Sequence, residues 1–150
     1  MGHTKNTIFI DEAIDKVFDI TNRIESWKDL FTEYSESTVL KKEGNKITFQ
    51  LATHPNKNGH FHRWISERII DNENYRCQAR RLEPTYPFEY MNITWEYKRV
   101  GTGTEMTWIQ DFKPGSDCTW TTAQFEEFIN TNSAQQMRVI KEKIENKFVI

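Results

Sequence analysis

Cysteine is scarce in this chain: Cys77 and Cys118 are the only two among 150 residues. That is too few for a disulfide framework, and both read as reduced thiols of a cytoplasmic protein. No run of about 18 apolar residues occurs, which excludes a membrane-spanning helix. The opening, MGHTKNTIFIDEAID, has no basic leader followed by an apolar stretch, so no secretory signal is expected. Gly2 follows Met1, but Lys5–Asn6 does not supply the Ser or Thr of a lipidation signal. A surplus of one charge is missing too. Acids and bases are interspersed, the net charge is −2, and no basic patch marks a nucleic-acid surface. His60 and His62 would share a strand face near His54, but no third ligand accompanies them, so no metal site is expected.

Aromatic surface, by contrast, is plentiful: Phe, Trp and Tyr make up 13% of the chain, with five Trp and ten Phe. The length argues for a single domain over residues 1–150. Thr7–Ile10 is a short β-prone run. Ala13, Ile14, Val17, Phe18 and Ile20–Thr21 then recur at helical spacing. Asn22–Arg23 breaks that helix, and Ile24–Leu30 reads as a second short one. From Ser35 to Lys113 the pattern changes to strands. Ser37–Lys41, Lys46–Thr53, Gly59–Asp71, Tyr75–Arg81, Tyr86–Lys98 and Thr104–Phe112 read as strands, divided by turn clusters such as Lys42–Asn45 and Gly101–Gly103. Tyr86–Lys98 is aromatic on both faces, so periodicity leaves its inner face open, and a bulge would switch it. One long helix closes the chain, with Phe125, Phe128, Ile129, Met137, Ile140, Ile144 and Phe148 on its apolar stripe.

One strand and two short helices, then six more strands and a long helix, define an α+β domain: seven antiparallel strands around the terminal helix. A strongly curved sheet gripping that helix would leave a hollow. The strand Gly59–Asp71 supports one, because alternation puts Trp64, Ser66 and Arg68 on one face. Arginine is rarely fully buried without a partner. Two readings fit: a cavity wall carrying fixed polar groups, or a rim arginine whose stem packs on Trp64 while its head reaches water. Inward positions on neighbouring strands would add Cys77, Ala79, Arg81, Met106, Trp108 and Gln110. The helix stripe passes through Asn132, Ser133 and Gln136, which suits either a wet cavity at mid-helix or a solvated break.

Five runs carry a further likeness: DITNRIESWKDLFTEY (19–34), HPNKNGHFHRWISER (54–68), FEYMNITWEYK (88–98), GTEMTWIQDF (103–112) and NTNSAQQMRVIKEKIE (130–145). In order and over nearly the whole chain, they resemble the bacterial monodomain aromatic polyketide aromatase/cyclases of the tetracenomycin and spore-pigment type. The resemblance implies the START-like helix-grip fold. It implies an enzyme that folds a linear poly-β-ketone in an interior pocket and catalyses regiospecific aldol cyclisation and dehydration to an aromatic ring. It further implies a substrate tethered to an acyl carrier protein, a minimal polyketide synthase as supplier, and no metal or redox cofactor. The family's pocket arginine falls on Arg68 and its tyrosine on Tyr34, the two catalytic candidates. Candidate substrate-binding residues are Trp27, Trp64, Ser66, Arg81, Phe88, Met91, Trp95, Trp108, Gln110 and Asn132. The His and Asp pair that some relatives use has no match at His3, His54, His60 or His62, so the resemblance does not name the proton-transfer groups.

The chemistry suits these residues. A shaped apolar wall holds the reacting carbons near attack distance, and a guanidinium, always charged, stabilises the developing enolate or alkoxide in a dry site. Blander roles remain open for several residues: Tyr34 as a cover on the second short helix, Arg81 as a partner of Glu83, Cys77 as a small core residue, and the tryptophans as core. A non-catalytic lipid or quinone carrier of the same fold is the alternative function. It would need few buried charges, because each costs desolvation.

Overall fold

A computed structural model describes residues 1–147. Seven alternating segments become strands: β1 (Gly2–Ile10), β2 (Tyr34–Glu43), β3 (Lys46–Thr53), β4 (Arg63–Asp71), β5 (Arg76–Arg81), β6 (Phe88–Val100) and β7 (Gly103–Pro114). They form one antiparallel sheet in the order β1-β7-β6-β5-β4-β3-β2. Between the two edge strands in sequence come α1 (Ile14–Thr21), a 3-10 turn (Ile24–Ser26) and α2 (Trp27–Leu30). The long helix α3 (Thr122–Glu145) lies along β1 within the grip of the sheet. Phe148, placed by periodicity on the same stripe, lies outside the described residues.

Boundaries differ from the sequence reading where the inner side chains are small. β1 starts at Gly2 rather than Thr7 because it pairs with β7 along its whole length, Gly2 opposite Phe112. Its inward residues there are Gly2 and Thr4, which carry little hydrophobic signal. Gly2 is required at that place: a Cβ would sit 2.2 Å from a Phe112 ring carbon. At the other extreme, 59–62 is loop rather than strand. Asn56 Oδ1 accepts from the backbone N–H groups of Asn58 and His60 and holds the chain in a turn.

The inner face of β6, left open by periodicity, is decided by a bulge between Phe88 and Tyr90. An extra residue changes the parity of the strand. Phe88, of even parity, and Met91, Trp95 and Tyr97, of odd parity, are therefore all buried on the same side. Helix α3 begins at a capping box, with Thr121 Oγ1 accepting from Gln124 N and Gln124 Oε1 accepting from Thr121 N.

The core is divided. Phe125 and Ile129, on the first half of α3, pack with Phe88, Met91 and Phe112. Met137, Ile140 and Ile144, on the second half, join α1, α2 and the inner sheet residues in a larger cluster. The polar mid-helix residues fall between the two. Ser133 and Gln136 are buried, and Gln136 does not face a void. Its Oε1 accepts from the backbone N–H of Thr32 at 3.0 Å and its Nε2 donates to Thr32 Oγ1 at 2.8 Å, clasping α3 to the link between α2 and β2.

Candidate active site

A cavity of about 540 Å³ lies between the sheet and the middle and first half of α3. That size is within the range of small-molecule sites. Strand alternation builds its walls. β3 contributes Phe49 and Leu51; β4 Trp64, Ser66 and Arg68; β5 Ala79 and Arg81; β6 Ile93 and Trp95; β7 Trp108 and Gln110. Trp27, Phe31, Glu33 and Tyr34 close one side, and Asn132 and Ser133 of α3 close the top. Tyr86, Trp120 and Phe128 also line it and are exposed, so they mark where it meets solvent.

Of the residues named from the sequence, Trp27, Tyr34, Trp64, Ser66, Arg68, Arg81, Phe88, Trp95, Trp108, Gln110 and Asn132 come together on this cavity. Met91 does not. It points to the same side of β6 but is consumed by packing among Phe88, Phe112, Phe125 and Ile129. Cys77 and Met106, expected inward, are inward but sit in the larger packed cluster rather than on the wall. Arg81 does not bind Glu83; its guanidinium lies over the rings of Trp64 at 4.3 Å and Phe88 at 5.2 Å. Tyr34 opens β2, packs on Trp27 and Phe31 at the second short helix, and also lines the cavity. His60 and His62 lie in the loop before β4 rather than on a shared strand face.

Arg68 is 1% exposed, so the rim reading does not hold. Its guanidinium lies 4.2 Å from the centre of the Trp95 ring and 5.3 Å from that of Trp27. Such contacts are worth about 2 kcal/mol when desolvated. Trp95 in turn stacks on Trp108 at 4.4 Å, and Trp108 on Phe31 at 5.9 Å. Nε of Arg68 donates to Asn22 Oδ1 at 2.9 Å. Nη2 has no hydrogen-bond partner among the described residues, and the same is true of Arg81 Nε and Trp108 Nε1. These are three buried N–H donors on three strands lining one cavity. A buried donor left unpaired costs about 1–3 kcal/mol.

Glu33 was absent from the sequence candidates. Burial pushes its carboxyl above the ordinary carboxylate range, against hydrogen bonds from Asn132 and Tyr34 and the charge of Arg81. Asn132 Nδ2 donates to Glu33 Oε2 at 2.9 Å. Burial, joined by the nearby Glu33 carboxylate, holds the Tyr34 hydroxyl well above its usual value. Desolvation pulls Arg81 down to about 10, opposed by Tyr34 and Glu33. Glu33 stands within the L-F-x-E-Y run, but a glutamate next to a polar turn carries no signal of burial. Gln136 clasps its neighbour Thr32, and Asn132 reaches Glu33 itself.

A helix gripped by a curved sheet, with the grip left open as an aromatic chamber holding fixed cations, defines a pocket protein of the helix-grip class. Residues 10–138 match the family model described as polyketide cyclase / dehydrase and lipid transport, and the chain belongs to that family. It is 46% identical over 144 residues to a Streptomyces cyaneus protein called "Putative polyketide cyclase", covering 96% of this chain and 94% of the relative. Among solved structures it is similar in fold to the Zhui aromatase/cyclase of a Streptomyces species, with a TM-score of 0.78 at 15% identity, covering 97% and 92% of the two chains. It is also similar to a START superfamily protein of Mycobacterium smegmatis, with a TM-score of 0.71 at 8% identity, covering 98% and 97%.

Proposed function

We propose that this protein is an aromatase/cyclase: it binds a linear poly-β-ketone, delivered on an acyl carrier protein by a minimal polyketide synthase, and closes its first ring. One observation carries the reading. Arg68 is buried without a carboxylate partner, and it, Arg81 and Trp108 line an aromatic chamber while each carries a buried N–H that no protein atom among the described residues answers. A carrier of alkyl chains gains nothing from such groups, since each costs desolvation.

In the proposed reaction the chain enters past Tyr86, Trp120 and Phe128. The aromatic walls hold one methylene carbon near one carbonyl carbon, which removes much of the entropic barrier. The methylene gives up a proton to solvent water admitted through the chamber's mouth, and its carbon attacks the carbonyl carbon, forming the C–C bond. The carbonyl oxygen takes up the electron pair and then a proton. Arg68 stabilises the enolate and the alkoxide in turn. The resulting hydroxyl takes up a proton and leaves as water while the neighbouring ring carbon releases a proton to form the C=C bond, and the remaining ring ketones enolise to give a phenol. No oxidant is needed. Tyr34 and Glu33 stand together on the wall, and Glu33, held protonated to a higher pH than usual, suits the proton donor to the departing hydroxyl. Ser66, Gln110 and Asn132 are the polar contacts that set the fold of the chain.

Reconstitution with a minimal polyketide synthase tests this. The expected result is replacement of a mixture of shunt products by one ring pattern. An unchanged mixture, with a lipid retained by the purified protein, would favour the carrier instead.

A further inference from the structure

Asn22 closes α1 and plays no part in the reaction above, yet it is the side chain that holds Arg68. Its Oδ1 accepts from Arg68 Nε at 2.9 Å and from Cys77 Sγ at 3.3 Å, and its Nδ2 donates to the carbonyl of Phe18 at 2.9 Å. Two donors on one side and a carbonyl on the other fix which end of the amide is oxygen. Arg68 makes no ion pair among the described residues. The ionisable groups close to it, Cys77, Tyr97 and Tyr34, are all held in their neutral forms by burial.

Buried arginines are ordinarily paired with a carboxylate. A carboxylate at this position would anchor the guanidinium equally well, but it would cancel the charge. We propose that Asn22 is the positioning residue of the site: a neutral anchor that orients Arg68 through Nε and leaves its full charge and its free Nη2 to a substrate oxyanion. The inference rests on the polyketone reading and adds to it a reason for an amide rather than an acid.

The probe is benzoylacetone, a 1,3-diketone whose enolate absorbs apart from its neutral form. A nearby uncompensated cation favours the charged form of a bound acid. Bound to the wild-type protein, the diketone is expected to ionise about one pH unit lower than in water, a tenfold shift in the equilibrium. In Asn22→Asp the diketone should still bind, with that shift abolished, and cyclisation in the reconstituted system should fall with it. A purely structural role would instead change the melting temperature and leave the ionisation of the bound diketone as in wild type. That outcome overturns the inference. If Asn22→Asp does not fold, Asn22→Ala serves. It retains the charge and removes the anchor, so the shift should drop at least about threefold (half a pH unit), and an unaltered shift again overturns the proposal. Failure of the wild-type protein to bind the diketone or to shift its ionisation would sink the polyketone reading itself, and this inference with it.

Discussion

At the scale of the residue, a single guanidinium organises the site. Arg68 has its stem among buried side chains, its face on Trp95 and its Nε on Asn22. Arg68→Met keeps most of that volume and removes the charge. We expect a folded protein whose rate of correct cyclisation drops about 10²–10³-fold, the usual cost of losing one oxyanion donor. The same product at the wild-type rate would remove Arg68 from catalysis. Glu33 carries a second prediction, and its sign follows from burial. The folded protein keeps this proton to a higher pH than the unfolded chain does. Between the ordinary carboxylate value and the raised one, the native state binds more protons, so stability falls as pH rises through that window and levels off above it. Glu33→Gln retains an acceptor for Asn132 and cannot ionise. Its melting temperature should gain on the wild type as pH rises through the window, and its cyclisation rate should lack the alkaline limb expected of the wild type. Parallel melting curves at all pH values would contradict a half-buried, late-ionising carboxyl.

At the scale of the element, two contacts on α3 separate folding from function. Thr121 caps the helix and, unlike its neighbour Trp120, is not among the residues that line the chamber. Thr121→Ala should cost about 1 kcal/mol and leave the product pattern unchanged. Gln136 clasps the link that carries Glu33 and Tyr34. Gln136→Leu strands the backbone N–H of Thr32 and should cost about 1–3 kcal/mol. It should also degrade the product pattern, because Glu33 and Tyr34 follow Thr32 directly in the chain. Chemical denaturation and product analysis of the two variants read both effects; equal product patterns would show the clasp to be structural only. The elements themselves were largely legible. The period of two marked β3 to β7, and the Asn22–Arg23 break marked the end of α1. β1 was cut short because Gly2 and Thr4 give no hydrophobic alternation. Alternation alone extends β4 back to Gly59, because the Asn56 side chain that bends 59–62 away is polar and local, invisible to periodicity.

At the scale of the whole molecule, the core is split so that its middle stays open. Trp27, Trp64, Trp95 and Trp108 all face the opening, so an aromatic polyphenol such as a dihydroxyanthraquinone should quench tryptophan fluorescence. It should raise stability by about 2.7 kcal/mol at a hundredfold excess over its Kd. A saturated fatty acid of similar length should bind at least about tenfold more weakly, since it cannot answer the three unpaired donors. Equal affinity would favour a lipid carrier.

The sequence alone determined the order of elements, the inward set on β4 and β7, and through its five runs the likeness to aromatase/cyclases. These are local or one-dimensional properties: alternation, turn chemistry and spacing. The tertiary structure alone decided that Arg68 is sealed from water, that Met91 is spent on packing while Phe88 reaches the chamber, and that Glu33 turns inward. Each depends on what a distant segment brings alongside: Asn22 46 residues before Arg68, and Gln136 104 residues beyond Thr32. A bulge in β6 completes the list, and burial and charge compensation are properties of such meetings rather than of any one stretch of chain.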